Sequence, residues 1–342
     1  GFPGFFADLA TGNAVIVKPH PPAILPLALL VKIAREVLSE AGFDPDVVTL
    51  AAHDFGDPIA QTLALRPEVR IIDFTGSAAN GNWLEANARQ AQVYTEKSGV
   101  NQIVVDSADD FKGVARNIAF SLALYTGQMC TAPQNIYVPI SGIETAEGQL
   151  TFDQVVAAIG EGVQKLLSDP ARAVEILGAV VNDGVMQRLE AARTLGPIAL
   201  DTQAIAHPVF PQARIRTPLV VKLDAADRDK YLSEWFGPIA FAIATDSTAQ
   251  SLAIVADAVK SHGALTLSVY SRKQDVIDQA IDVAEDAGVA LSINLTGGVF
   301  VNQSAAFSDY HGTGANPAAN ASLTDSAFVA SRFRVVQHRA HV

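Results

Sequence analysis

A single cysteine, Cys130, stands in 342 residues. One thiol closes no internal disulfide and builds no cysteine-based zinc site, which fits a reducing, cytoplasmic setting. Basic residues are scarce, 24 against 36 acidic, and the net charge of −12 comes with no basic stripe for nucleic acid or an anionic membrane surface. No apolar run approaches the roughly 20 residues that span a bilayer. The Gly-x-Gly-x-x-Gly fingerprint is missing, as are internal repeats and low-complexity tracts. No His pair has metal-ligating spacing: His311 is isolated, and His338 and His341 lie in the terminal tail, so no metal is expected. The opening Gly-Phe-Pro-Gly-Phe-Phe has no Met and no charged region ahead of an apolar stretch. It reads as the middle of a longer protein rather than a signal peptide, and an N-terminal portion is expected to be missing.

Hydrophobic residues make up 49% and charged residues 18%, enough to bury large cores over two ordinary domains. In the first hundred residues short β-branched runs alternate with helical spacing. Ala14–Val17, Val47–Leu50 and Val69–Phe74 read as strands; Ala23–Ala41, with Leu25, Leu29, Ile33, Val37 and Leu38 on one face, Ile59–Leu65 and Trp83–Ala91 read as helices. This alternation predicts an α/β fold with a parallel sheet, whose ligands bind at the carboxyl ends of the strands. Lys18 follows the first strand and Thr75-Gly76-Ser77 follows the third. A glycine lets a phosphate approach the backbone, and a serine offers a hydroxyl and an N–H at a helix start, although such a turn is commonly only a cap. Gln92–Thr95 reads as a strand delivering Glu96, a candidate general base or simply a solvated loop carboxylate.

Cys130 lies in Tyr125–Pro133, between the helical run ending at Leu124 and the strand Asn135–Pro139. A loop between ordered elements holds a nucleophile firmly and leaves it reachable. The plain alternative is a buried, inert thiol. Further on, Ile140–Leu150 reads as a loop or hairpin. Helices are expected over Phe152–Leu167, Val185–Leu195, Ser251–Ser261 and Gln274–Asp286, and strands over Leu219–Val221, Ile239–Ala244, Leu265–Tyr270 and Val289–Leu295. Glu234-Trp235-Phe236-Gly237-Pro238 forms a defined loop before one of these strands. Gly312–Asn320 reads as a long loop, and Phe333, Val335 and Val336 as a strand-like run.

Lys18-Pro19, Phe74-Thr75-Gly76-Ser77, Glu96, Gly127-Gln128-x-Cys130 and Glu234-x-Phe236-Gly237-Pro238 occur in one order, and that order resembles the NAD(P)-dependent aldehyde dehydrogenase superfamily. Thr-Ala-Pro-Gln-Asn after Cys130 and the ending Arg-Phe-Arg-Val-Val-Gln resemble its phenylacetate-degradation branch, PaaN. The resemblance implies a Rossmann-variant cofactor domain (residues 1–98), an α/β catalytic domain (99–311) and a C-terminal oligomerisation arm (312–342) in a homodimer or homotetramer. It implies that Cys130 attacks the aldehyde, that Glu96 is the base for thioester hydrolysis, and that Lys18, Gly56, Thr75, Gly76, Ser77, Glu234 and Phe236 bind NAD or NADP. The implied substrate is an aldehyde of aromatic catabolism, including a coenzyme A-linked semialdehyde.

Three departures stand out. The family's oxyanion Asn would fall just upstream of Gly1; such a donor is worth ~2.7–4 kcal/mol. Lys-Ser-Gly follows Glu96 in place of Leu-Gly-Gly. Pro21 occupies the position where strongly NAD-selective members carry an acid, so a 2′-phosphate meets no carboxylate. Acyl transfer to coenzyme A, a catalytically silent binding protein on the same fold, and a thiol esterase are the competing readings. Glu96 argues against the first, and the lack of a His near any motif against the last.

Overall fold

The computed structural model describes residues 2–306, 312–322 and 326–341; His311 lies outside them. The chain divides into two compact units, residues 1–96 with 323–342, and residues 97–322.

The first unit opens with a helix the sequence reading did not anticipate, α1 (Phe2–Ala10), followed by β1 (Val15–Val17), α2 (Ile24–Glu40), β2 (Val48–Leu50), α3 (Ile59–Ala64), β3 (Ile71–Gly76), α4 (Ala78–Asn87) and β4 (Gln92–Lys97). β1 and β2 are parallel, with Val17 opposite Leu50; β3 and β4 form a separate pair. The core gathers Phe5, Val31 and Val48 with Leu9, Leu30, Ala34 and Leu38. The stripe Leu25, Leu29, Ile33 and Val37 faces outward, with Leu29 50% and Ile33 56% exposed. α2 thus carries two apolar stripes, and the one that packs on β2 lies one residue away from the most regular repeat. Thr75 and Gly76, expected in a turn, are the last residues of β3. Helix α4 starts earlier than the apolar spacing suggested because Ser77 caps it, its hydroxyl accepting from the Asn80 amide.

The second unit contains β5 (Gln102–Val105), α5 (Phe111–Ala123), β6 (Asn135–Pro139), α6 (Phe152–Leu166), α7 (Pro170–Leu177), α8 (Asp183–Ala192), β7 (Ile198–Leu200), β8 (Leu219–Asp224), β9 (Ile239–Thr245), α9 (Thr248–His262), β10 (Thr266–Tyr270), α10 (Gln274–Ala287) and β11 (Ala290–Ile293). A hairpin of Ile143–Thr145 and Gly148–Leu150 stands in the stretch expected as a loop or hairpin. Seven strands form one sheet in the order β7-β8-β9-β6-β5-β10-β11. All pairs are parallel except β7–β8. Both faces are covered, so the central strands are continuous apolar runs whose side chains alternate between two cores. Ile103, Val105, Ile136, Val138, Ala240 and Ala242 point to α5 and α6. Val104, Tyr137, Phe241 and Ile243 point to α9 and α10.

The tail differs from expectation. Ser326–Ala330 is a short helix, and Phe333, Val335 and Val336 belong to no strand; the last two are 88% and 93% exposed. What fixes the end of the chain within the first unit is Arg332, fully buried. Its guanidinium pairs with both Asp73 carboxylate oxygens (2.5 and 2.6 Å) and with Asp8 (2.7 Å), and lies against the rings of Tyr94 and Phe328.

Among the described residues no helix is long and apolar enough to cross a membrane, and no group of three or more His, Cys, Asp or Glu could hold a metal ion.

Candidate active site

Helix α5 ends at Ala123, and the chain then takes a left-handed turn through Tyr125 (φ +53), Thr126 (φ +58) and Gly127 (φ +61). A β-branched residue in this region is strained by about 1–3 kcal/mol. Thr126 is held there by burial and by its hydroxyl, which donates to the Leu177 carbonyl at 2.6 Å. Gln128 braces the next step: its amide donates to the carbonyls of Tyr125 (3.0 Å) and Ala179 (2.9 Å), and its oxygen accepts from Val181 N (3.0 Å).

Cys130 follows, partly exposed, on the loop that leads to β6. Neighbours on both sides of the sulfur are fixed. Asn101 donates to the carbonyls of Cys130 (2.7 Å) and Ala132 (2.9 Å) while its oxygen accepts from the amides of Thr266, the first residue of β10, and of Leu265 just before it. The Thr131 hydroxyl donates to the Asn302 carbonyl at 2.9 Å. Backbone order around a thiol that solvent can reach is what nucleophilic attack requires.

The loop before β9 comes to the same place. Gln134 organises it: its amide donates to the carbonyls of Tyr231 and Ser233 (3.0 Å each), and its oxygen accepts from Trp235 N at 2.7 Å. The Phe236 carbonyl accepts from Arg188 Nε at 2.9 Å. Cys130, Glu234 and Phe236 thus line one small pocket, with Ser98 and Gly127. Glu234 Oε1 is buried there with no hydrogen-bond partner. Burial pushes this carboxyl above its usual range, against the opposing pull of the Ser98 hydroxyl and Arg188. An acceptor without a donor, facing a pocket beside a thiol, fits a ligand hydroxyl.

A larger cavity of the same unit, about 490 Å³, lies among Asp153, Lys222, Asp227 and Lys230. Its charges are paired among themselves, Lys222–Asp153 at 3.1 Å and Lys230–Asp227 at 2.7 Å, and it holds none of the expected site residues.

The remaining expected residues belong to the first unit. Glu96 is the last residue of that unit, inside β4 rather than just beyond it. Lys18 leaves the end of β1, half-buried, and burial lowers its ammonium below the ordinary lysine value. Gly56 (φ +84) sits in an exposed turn after β2. Thr75 and Gly76 end β3, and Ser77 caps α4. The positioning work of Thr126, Gln128, Asn101 and Gln134 was not anticipated. Only the adjacency of Gln128 and Gln134 to the cysteine offered a signal.

The sequence pattern described as "Aldehyde dehydrogenase family" matches residues 4–316. The chain is 26% identical over 290 residues to lactaldehyde dehydrogenase of Escherichia coli (strain K12), covering 80% of this chain and 54% of that one. It is 24% identical over 306 residues to lactaldehyde dehydrogenase of Methanococcus maripaludis (strain C7), covering 87% and 59%. The crystal structure of an NAD-dependent aldehyde dehydrogenase from Burkholderia multivorans is 68% identical, with a TM-score of 0.96 over 100% of this chain and 62% of that one. The chain therefore spans a little over half the length of the relatives it matches.

Proposed function

The chain belongs to the aldehyde dehydrogenase family, and from that premise we propose that it oxidises an aldehyde to a carboxylic acid with NAD or NADP, using Cys130 as the nucleophile. One observation carries the reading: Cys130, Glu234 and Phe236 line a single pocket. In this reading the Cys130 thiolate adds to the aldehyde carbon, and the resulting thiohemiacetal becomes a thioester. A bound nicotinamide supplies the hydride acceptor. Glu96 takes a proton from the water that hydrolyses the thioester. Glu234 receives a ribose hydroxyl, which the orphaned Oε1 supports, and Phe236 packs by the ring. Lys18, Gly56, Thr75, Gly76 and Ser77 hold the adenosine and pyrophosphate side. Residues 1–98, 99–311 and 312–342 are the cofactor domain, catalytic domain and oligomerisation arm of this proposal.

The same reading carries finer parts: a PaaN-like branch, an aldehyde of aromatic catabolism including a coenzyme A-linked semialdehyde, a cytoplasmic setting, and a homodimer or homotetramer. The exposed Val335 and Val336 support assembly through the tail.

Absorbance of reduced nicotinamide, followed with a panel of aldehydes and either dinucleotide, tests the activity. Cys130→Ser abolishes turnover while dinucleotide binding survives. Glu96→Gln keeps a first burst and stalls hydrolysis; a normal steady rate in that variant removes Glu96 as the base. No reduction with any aldehyde removes the proposal.

A further inference from the structure

Arg188 stands in a poor place for a cation that serves only its own helix. α8 is capped by the Asn182 side chain, which accepts from Val185 N at 3.1 Å. The Arg188 side chain runs back toward that end: a β-carbon built on Gly184 would lie 3.5 Å from its Nη1. A helix dipole disfavours positive charge in the first turn. Burial adds to the cost and pulls the guanidinium below its ordinary value. Among the described residues Arg188 forms no ion pair. The acids of its own helix are taken, Asp183 by Arg214 at 2.5 Å and Glu190 by Arg193 at 3.6 Å.

What Arg188 holds is the loop of the thiol pocket. Its Nε donates to the Phe236 carbonyl at 2.9 Å. One turn earlier, Val185 meets the next residue of the loop: a β-carbon built on Gly237 would stand 2.9 Å from Val185 Cγ1. α8 therefore backs the segment that presents Glu234. The pocket wall itself contains no cation; apart from Glu234 and the Cys130 thiol, its polar side chains are the neutral Ser98, Asn101 and Gln134, with Trp235. On the neighbouring elements, Lys97 is buried at the end of β4, and Lys230 pairs with Asp227 at 2.7 Å. Against the burial of Glu234 stand the Ser98 hydrogen bond and one charge, that of Arg188.

We propose that Arg188 is a positioning residue for Glu234, fixing the loop through the Phe236 carbonyl and supplying from behind the pocket the positive charge that its wall lacks. This rests on the proposed function, in which Glu234 receives a ribose hydroxyl, and adds the group that makes the acceptor strong. A nearby cation favours the ionised carboxylate, and a carboxylate accepts a hydrogen bond more strongly than a protonated carboxyl. Without the charge, Glu234 keeps its proton to higher pH. The loss of dinucleotide affinity is then largest in mildly acidic solution and fades as pH rises. A purely mechanical hold on Phe236 would weaken binding equally at every pH.

Calorimetric titration with NAD at pH 6 and pH 8.5 separates the two. Arg188→Gln and Arg188→Met both remove the charge, so one that does not fold is covered by the other. Each is expected to bind NAD about tenfold more weakly than the parent at pH 6, narrowing to about threefold at pH 8.5. Arg188→Lys restores the charge and stays within about threefold of the parent at both. In a Glu234→Gln background, removing the Arg188 charge changes affinity at pH 6 by no more than about threefold. A deficit of the same size at both pH values, or one that persists in full in the Glu234→Gln background, overturns the charge role and leaves the dinucleotide pocket standing. No binding of NAD to the parent at either pH removes the pocket reading, and this proposal with it.

Discussion

Gly127 and Gly237 meet backbone to backbone. A β-carbon built on Gly127 would stand 2.3 Å from the Gly237 carbonyl oxygen and 2.9 Å from the Pro238 α-carbon, and Gly127 also holds a φ of +61°. The contact joins the turn ahead of Cys130 to the loop carrying Glu234 and Phe236, so two stretches far apart in sequence share one pocket.

Gly127→Ala therefore loses on two counts, a left-handed backbone and a clash with main-chain atoms that no rotamer relieves. The expected cost is about 2–4 kcal/mol, measured by urea unfolding. Alkylation of Cys130 by iodoacetamide reports the same event locally, because moving this turn moves the thiol. An unchanged unfolding midpoint and an unchanged alkylation rate would show that the loops do not depend on each other.

Gln134→Ala removes four hydrogen bonds at once, those to the Tyr231 and Ser233 carbonyls, to Asn135 Oδ1 and from Trp235 N, and leaves the Ser233 carbonyl and Trp235 N without their Gln134 partner, while the Tyr231 carbonyl keeps Asn135 Nδ2 at 3.1 Å. A loss of about 2–4 kcal/mol is expected. Dinucleotide affinity falls further than for a substitution of equal cost in the α9–α10 core, since the loop presenting Glu234 is what loosens. Gln134→Glu keeps the acceptor for Trp235 N and loses the three donations, so it falls between. Calorimetric binding beside urea unfolding separates the two effects.

Arg332→Met deletes the cation that faces both carboxylates, and leaving Asp8 and Asp73 without it makes the loss about 3–5 kcal/mol in the unfolding of the first unit. Asp8 also gives this unit a pH signature. Burial first, with Asp73 adding to it, lifts its carboxyl to about 6 against the pull of Arg332. An acid with a folded pKa above its unfolded value binds more protons when folded. Its contribution is complete below about pH 4 and is lost as pH rises through about 6. Asp8→Asn flattens that slope in unfolding curves collected from pH 4 to 7.

These predictions rest on features of unequal legibility. The central strands were readable because β5, β6 and β9 are buried on both faces and their apolar runs had no competing period. Helix α2 was placed correctly, yet its most regular repeat, Leu25, Leu29, Ile33 and Val37, lies outside the core. Periodicity identifies a helix but cannot choose between two apolar faces. Ser77 shows a local rule prevailing over spacing, since its cap starts α4 before the first apolar residue of the expected run. The tail read as a strand because Val335 and Val336 favour extension, but a strand needs a neighbour's ladder. At the site, Cys130 and Glu234 were visible as residue types. Asn101 and Gln134 act through backbone atoms brought close only by the sheet order, which pairs β5 with β6 and β6 with β9.

The two faces of α2 separate cleanly by substitution. Leu29→Glu and Ile33→Glu are expected within about 0.5 kcal/mol of the parent in urea unfolding, as for exposed positions. Val31→Ala, buried against Phe5 and Val48, costs about 1–3 kcal/mol. A cost above 1 kcal/mol for the glutamates would mean that the outer stripe is covered in solution, and sedimentation would identify a second copy as the cover.

Glu234→Gln sets binding against stability. The carboxylate is buried with Oε1 lacking a partner, and burial lifts its pKa. Because the folded value lies above the unfolded one, the folded chain holds the extra proton in between, and this group's contribution to stability is lost as pH rises through that window. At pH 7 the charge is therefore a cost the fold tolerates. Gln keeps the shape, removes the charge and flattens the pH slope, so unfolding at pH 7 should be unchanged or harder. Dinucleotide affinity should fall about tenfold or more, since a neutral amide is a weaker acceptor for a ribose hydroxyl than a desolvated carboxylate. A variant both less stable at pH 7 and unimpaired in binding would mean that Glu234 is a structural residue and that the pocket beside Cys130 receives no ribose.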